Sequence, residues 1–154
     1  MTDKIILLVE DNADDELLTR RAFQKNNILN EVVVAHDGVE ALDYLFATGP
    51  HEGRSLNPPP AVILLDINLP RIGGLEVLRR LRADERTRML PVVVLTSSRE
   101  EQDLVDSYRL GVNAYVVKPV AFEAFVKAVK DLGVFWALVN EPPPGDARRL
   151  HPRP

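Results

Sequence analysis

Five short apolar runs decide what this chain can become. Ile5–Val9, Glu31–Ala35, Ala61–Leu65, Pro91–Leu95 and Ala114–Val117 have strand length, and the stretches between them carry apolar residues at helical spacing. Runs that are apolar at successive positions read as strands buried on both faces, the usual condition of a parallel sheet covered by helices. Strands alternating with helices imply right-handed βαβ units and an α/β fold, doubly wound. The intervening helices are expected as follows. The first opens at Asp14 and Asp15 and turns Leu17, Leu18 and Ala22 inward, with Phe23 beside them. The second carries Ala41, Leu42, Leu45 and Phe46, and the third Leu75, Val77, Leu78 and Leu81. The fourth is polar, from Arg99 to Leu110, and Gly111 supplies a left-handed cap. The last places Phe122, Phe125, Val126, Val129, Leu132, Gly133 and Trp136 toward the core. Gly49 to Pro60 is a long loop, and Gly73-Gly74 reads as turn chemistry.

A chain of 154 residues accommodates one full core, and 45% hydrophobic with 27% charged residues is an ordinary globular balance. The net charge of -4 offers no electrostatic case for nucleic acid or an anionic membrane. No apolar run reaches membrane-spanning length, the amino terminus has no signal-peptide core, and there is no cysteine. These features lead to the expectation of a cytoplasmic protein with no membrane or nucleic-acid partner. The domain is expected over residues 4–140. The proline-rich tail, 141–154, has no apolar face to bury and is expected to be extended or disordered unless a partner orders it.

The strand ends carry the chemistry. Strand one stops at Glu10-Asp11, strand three at Asp66, strand four at Thr96-Ser97 and strand five at Lys118. Alone, Asp66 could simply cap a turn. In a parallel sheet, however, all these ends share one edge, where open α/β sheets bind ligands. Carboxylates about 4 Å apart repel by about 4 kcal/mol at an effective dielectric near 20, so the cluster either shares protons or holds a cation. Oxygen-only ligands favour a hard ion such as Mg2+. A hydroxyl and an ammonium beside it suit a phosphoryl group, with Asp66 as carboxylate nucleophile.

Val9-Glu10-Asp11-Asn12, Leu65-Asp66-Ile67-Asn68-Leu69-Pro70, Val94-Leu95-Thr96-Ser97 and Tyr115-Val116-Val117-Lys118-Pro119 together resemble the receiver domain of two-component response regulators. The resemblance implies a flavodoxin-like five-stranded sheet in the order 2-1-3-4-5 with five helices. It further implies a single-domain regulator that accepts phosphoryl from a sensor histidine kinase, signals by conformational change, protein contact or phosphorelay, and catalyses only its own phosphotransfer and slow autodephosphorylation. In that reading Asp66 is the phosphoacceptor. Asp11 ligates Mg2+ directly, Glu10 acts through metal-bound water, and the Asn68 backbone carbonyl completes the protein ligands. Thr96 and Lys118 hold the phosphoryl oxygens, Lys118-Pro119 is a cis peptide, and Tyr115 swings inward as Thr96 closes. Ser97 after the threonine and Val120 after Lys118-Pro119, with Phe122 only later, depart from the usual pattern, yet neither removes a reacting group.

The long loop from Gly49, Asn12, the Thr96-Ser97-Ser98 run and Phe135-Trp136 are similar to the small regulators paired with bacterial phytochrome kinases. Val134, Phe135 and Leu138 lie off the expected core stripe, and Phe135, Trp136 and Leu138 are candidate contacts of a homodimer built through the fourth helix, fifth strand and fifth helix, with the tail reaching across. Competing readings are a hydrolase with an aspartyl-phosphate intermediate, disfavoured because Asn68 stands where a second acid would help, a flavin or nucleotide binder, disfavoured because Glu10-Asp11 repels phosphate, and a receiver-like scaffold without phosphorylation.

Overall fold

The computed structural model describes residues 4–54, 59–112, 114–133 and 138. The chain runs β1 (Ile6–Val9), α1 (Ala13–Lys25), β2 (Val32–Ala35), α2 (Gly38–Phe46), a 3-10 turn (Gly49–His51), β3 (Val62–Asp66), α3 (Gly74–Ala83), β4 (Val92–Thr96), α4 (Arg99–Ser107), β5 (Tyr115–Val117) and α5 (Phe122–Asp131). The five strands form one sheet in the order β2-β1-β3-β4-β5, with every neighbouring pair parallel, as expected.

Period-two alternation along the strands sorts the core into two layers. Leu7, Val9, Ile63, Leu65, Val92 and Val94 face α2, α3 and α4, meeting Leu42, Leu45, Val77, Leu78, Leu81 and Val105. Ile6, Leu8, Val62, Leu64, Val93, Leu95 and Val116 face the other way, toward Phe23 of α1 and Phe125, Ala128 and Val129 of α5. The Phe23 and Phe125 rings pack at 4.7 Å between centroids and tie α1 to α5.

Register explains where the strand ends fall. Val9 pairs with Leu65, so the next residues, Glu10 and Asp66, stand level on adjacent strands. Asp66 pairs with Leu95, which sets Thr96 one step beyond it, and Thr96 pairs with Val117, which sets Lys118 one step further.

Several expectations need correction. Leu17 and Leu18 are 47% and 46% exposed, and α1 instead buries Thr19 and Phe23. The Phe23–Phe125 contact sets the rotation of this helix, and Thr19, one turn earlier, fits the same stripe because its hydroxyl is satisfied by the Asp15 carbonyl at 2.9 Å. Helix α4 ends at Ser107, with Arg109 in the left-handed region (φ 53°) before Gly111 reaches it (φ 73°). In α5 the inward set is Phe125, Ala128 and Val129, with Val126 only half-buried. Leu138, expected off the core stripe, is buried in the layer with Phe125 and Val129. Phe135, Trp136 and the tail lie outside the described residues. Part of the long loop is anchored: the Arg54 guanidinium sits 3.9 Å over the Tyr44 ring, and His51 packs edge-on against the same ring at 5.3 Å.

Gly74 is required by close approach, with ordinary backbone angles. A Cβ there would lie 2.4 Å from the Asp66 carbonyl oxygen and 2.7 Å from Ile67 Cα, whereas nothing lies within 4 Å of a Cβ at Gly73. Gly74→Ala is therefore expected to destabilise the fold by about 2 kcal/mol or more through backbone displacement at the end of β3. Gly73→Ala, at the N-cap, should lose under about 1 kcal/mol. Urea unfolding of both variants measures the difference, and equal midpoints would remove the packing role of Gly74.

Candidate functional site

The carboxyl ends of β1, β3, β4 and β5 converge around one ammonium. Lys118 Nζ donates to Asp66 Oδ2 at 2.9 Å and to both Glu10 oxygens at 3.2 Å, and lies 3.0 Å from Asp15 Oδ2. Glu10 and Asp66 are each 1% exposed, while Asp11 is open to solvent. Carboxylate oxygens of Glu10, Asp11 and Asp66 all lie within 4.8 Å of one another, a group that could hold a metal ion. The donor set is oxygen only and mixes buried with exposed acids, which fits a hard divalent cation that keeps part of its water.

Local structure aims each group. The Glu10 N–H continues the ladder to the Ala35 carbonyl at 2.9 Å, and the Asn12 N–H donates to Glu10 Oε2 at 3.2 Å. Asn12 then caps α1, its Oδ1 accepting from the Asp15 N–H at 2.9 Å. The Asn68 N–H donates to Asp66 Oδ1 at 2.9 Å, so the loop after β3 folds back on its own carboxylate. Asp66 is thus held at both oxygens. The Lys118 N–H donates to the Thr96 carbonyl at 2.8 Å, and the Lys118–Pro119 peptide is cis, as expected. Thr96 is fully buried, and among the described residues its Oγ1 has no hydrogen-bond partner. Tyr115 is half-buried, and its hydroxyl donates to Asp106 of α4.

The electrostatics are those of acid in excess. Burial raises the Glu10 carboxyl, the hydrogen bond and charge of Asp66 raise it further, and it is pushed up to about 7 although the Asn12 N–H and Lys118 pull it down. Burial opposes the Lys118 ammonium, but Asp66, Asp15 and Glu10 outweigh it and keep the proton on more tightly than usual. Burial and the Asp106 carboxylate raise the Tyr115 phenol.

Two residues reach the site without having been expected there. In sequence Asp15 reads as an α1 dipole residue, yet its side chain turns to Lys118. Glu101 of α4 accepts from the Ser97 N–H at 2.8 Å and from Asn68 Nδ2 at 2.6 Å. Burial raises the Glu101 carboxyl, but the hydrogen bonds from Asn68 and Ser97 and the Lys118 charge outweigh this and hold it low. The Ser98-Arg99-Glu100-Glu101 spacing is a capping-box signal that would have placed Glu101 at the rim.

Residues 6–130 match the family model of the response regulator receiver domain, and the chain belongs to that family of two-component signalling proteins. It is 42% identical over 141 residues to the probable methanogenesis regulatory protein FilR2 of Methanothrix harundinacea, a match covering 90% of this chain and 87% of that protein. Among solved structures, the bacteriophytochrome response regulator AtBRR shares 59% identity at a TM-score of 0.84, covering 92% of this chain and 100% of that one. The bacteriophytochrome response regulator RtBRR shares 55% at 0.82, covering 94% of this chain and 87% of that one.

A carboxyl whose pKa is raised on folding stabilises the fold at low pH and loses that contribution as pH rises from its unfolded value toward its folded one. For metal-free protein, Glu10→Gln is expected to gain stability relative to the parent chain between pH 4.5 and about 7. The gain should be on the order of 1 kcal/mol or more across that window. Urea unfolding at pH 5 and pH 8 measures it, and a pH-independent difference would show that Glu10 ionises normally.

Proposed function

We propose that this protein is a response regulator that receives a phosphoryl group on Asp66 from the phosphohistidine of a sensor histidine kinase, with Mg2+ at Glu10, Asp11, Asp66 and the Asn68 carbonyl. The observation that carries this reading is Lys118 Nζ at 2.9 Å from Asp66 Oδ2 while the Thr96 hydroxyl is buried and unpartnered among the described residues. A buried hydroxyl without a partner is an unmet hydrogen bond, and a phosphoryl oxygen would meet it.

The chemistry is a substitution at phosphorus. An Asp66 carboxylate oxygen forms a bond to phosphorus as the bond to the histidine nitrogen breaks, and the electron pair leaves with the imidazole. When bound, Mg2+ supplies positive charge that offsets the acid cluster and the phosphoryl oxygens together. Lys118 moves from pairing with Asp66 to a phosphoryl oxygen, needing only a short displacement of a flexible side chain. Thr96 donates its hydroxyl to a second oxygen, drawing the loop after β4 inward. Tyr115 then leaves Asp106 and turns toward the space that Thr96 vacates, which carries the change to the α4–β5 surface.

That surface also favours self-association. Leu104 and Tyr108 in and after α4 and Val117 in β5 are 48%, 57% and 55% exposed, an apolar set suited to a homodimer contact through α4, β5 and α5. The tail, 141–154, and Phe135 and Trp136 would extend that contact to the neighbouring copy. The likeness to AtBRR and RtBRR supports a bacteriophytochrome-type kinase as the donor.

Asp66→Asn is expected to abolish acid- and alkali-labile labelling by acetyl phosphate in Mg2+, while Thr96→Ala and Lys118→Ala retain the acceptor but label or switch poorly. Labelling of the Asn variant with the same lability would move the acceptor elsewhere. Light scattering of the chain cut after Asn140 is expected to report a smaller mass per particle than two full chains of that length would give; a fully retained dimer would exclude the tail from assembly.

A further inference from the structure

One side chain joins the two loops that flank Asp66. Glu101 stands in the first turn of α4, where Ser98 Oγ accepts from its N–H at 3.2 Å. At that position an acidic side chain ordinarily completes a capping box by reaching back to the N–H of the cap residue itself. Glu101 departs from this pattern twice. Its Oε1 reaches one residue further back, to the N–H of Ser97 directly after Thr96, at 2.8 Å. Its Oε2 leaves the helix for Asn68 Nδ2, 33 positions away in the loop after β3, at 2.6 Å. The same carboxylate therefore occupies donors on both sides of the pocket, next to the Thr96 hydroxyl that has no partner among the described residues.

We propose that Glu101 is a resident anion of this pocket, a positioning residue that holds the Ser97 N–H and the Asn68 carboxamide until a phosphoryl group on Asp66 competes for them. The proposal rests on Asp66 being the acceptor. Two physical consequences follow from the geometry. An anionic phosphodonor meets one more negative charge at a mouth where Glu10, Asp15 and Asp66 already face Lys118 and Asp11 lies beside Glu10 and Asp66. The loop after β4 can carry Thr96 inward only by loosening Ser97 from Glu101, and displacing Glu101 also frees Asn68. Release of one loop thus favours release of the other, and α4 is the element that feels both. A cap alone would tie Glu101 to its own helix and leave Asn68 unaffected.

The test uses the full chain with acetyl phosphate and Mg2+, comparing the initial labelling rates of wild type, Glu101→Gln, Glu101→Ala, Asn68→Ala and the Asn68→Ala/Glu101→Ala double variant. Glu101→Ala is expected to label about tenfold faster than wild type, the factor that about 1.4 kcal/mol produces. Glu101→Gln, which removes the charge and keeps an acceptor and the cap, should fall between the two. The double variant should differ from Glu101→Ala by less than Asn68→Ala differs from wild type, because the two side chains act as a pair. Thermal unfolding of each variant reads the cap separately. Equal or slower labelling of both Glu101 variants, with only Tm lowered, would reduce Glu101 to a helix cap and overturn the proposal. Absence of label on the wild-type chain would instead overturn the acceptor reading on which it stands.

Discussion

The structure depends on one ammonium placed among carboxylates. Lys118 neutralises part of a rim to which β1, the first turn of α1 and β3 deliver Glu10, Asp15 and Asp66, each within 3.2 Å of its nitrogen. Asp11 adds a fourth carboxylate to the same edge. Like charges this close repel by several kcal/mol at a surface-like dielectric, so the cluster needs the Lys118 ammonium as well as the fixed sheet beneath it. The response is visible in Glu10, whose carboxyl is pushed up to about 7 and so holds its proton far above the ordinary carboxylate range. Added positive charge would relieve a pocket in this condition, and the oxygen-only donor set fits a hard cation.

Rigidity comes from the two core layers. Strands β1, β3 and β4 are buried on both faces, and their ends cannot shift without disturbing Phe23 and Phe125 on one side or Leu78 and Leu81 on the other. The groups expected to move lie outside those layers. Asn68 is exposed, Ser97 and Glu101 sit at the mouth, and Tyr115 spans the boundary with its hydroxyl on α4. On the proposed reading, fixed strand ends with adjustable loops would let a small chemical change at Asp66 reach the surface without unfolding the core.

The parallel sheet was legible because five apolar runs leave few other ways to bury themselves, and Asp66, Asp11, Thr96 and Lys118 were legible because each terminates such a run. Reading failed where a choice depended on a neighbour in space. Leu17 and Leu18 are as apolar as any core pair, yet the Phe23–Phe125 contact rotates α1 so that Thr19 faces inward instead. Leu138 falls off the stripe of a straight final helix and is buried all the same. Asp15 reads as a helix-dipole residue until Lys118 is found beside it. Glu101 carried a local capping signal, but its bond to Asn68 spans 33 positions and leaves no trace in spacing.

By itself the amino-acid order determined the class of fold and the chemical types gathered on one edge, because hydrophobic periodicity and the parallel orientation of strands act locally and at every strand alike. Tertiary structure alone decided helix rotation, the partners of Lys118, and the bridge by which Glu101 links two loops. Those outcomes are set by distances between segments far apart in the chain, and packing and charge pairing fix such distances only once the whole sheet has closed.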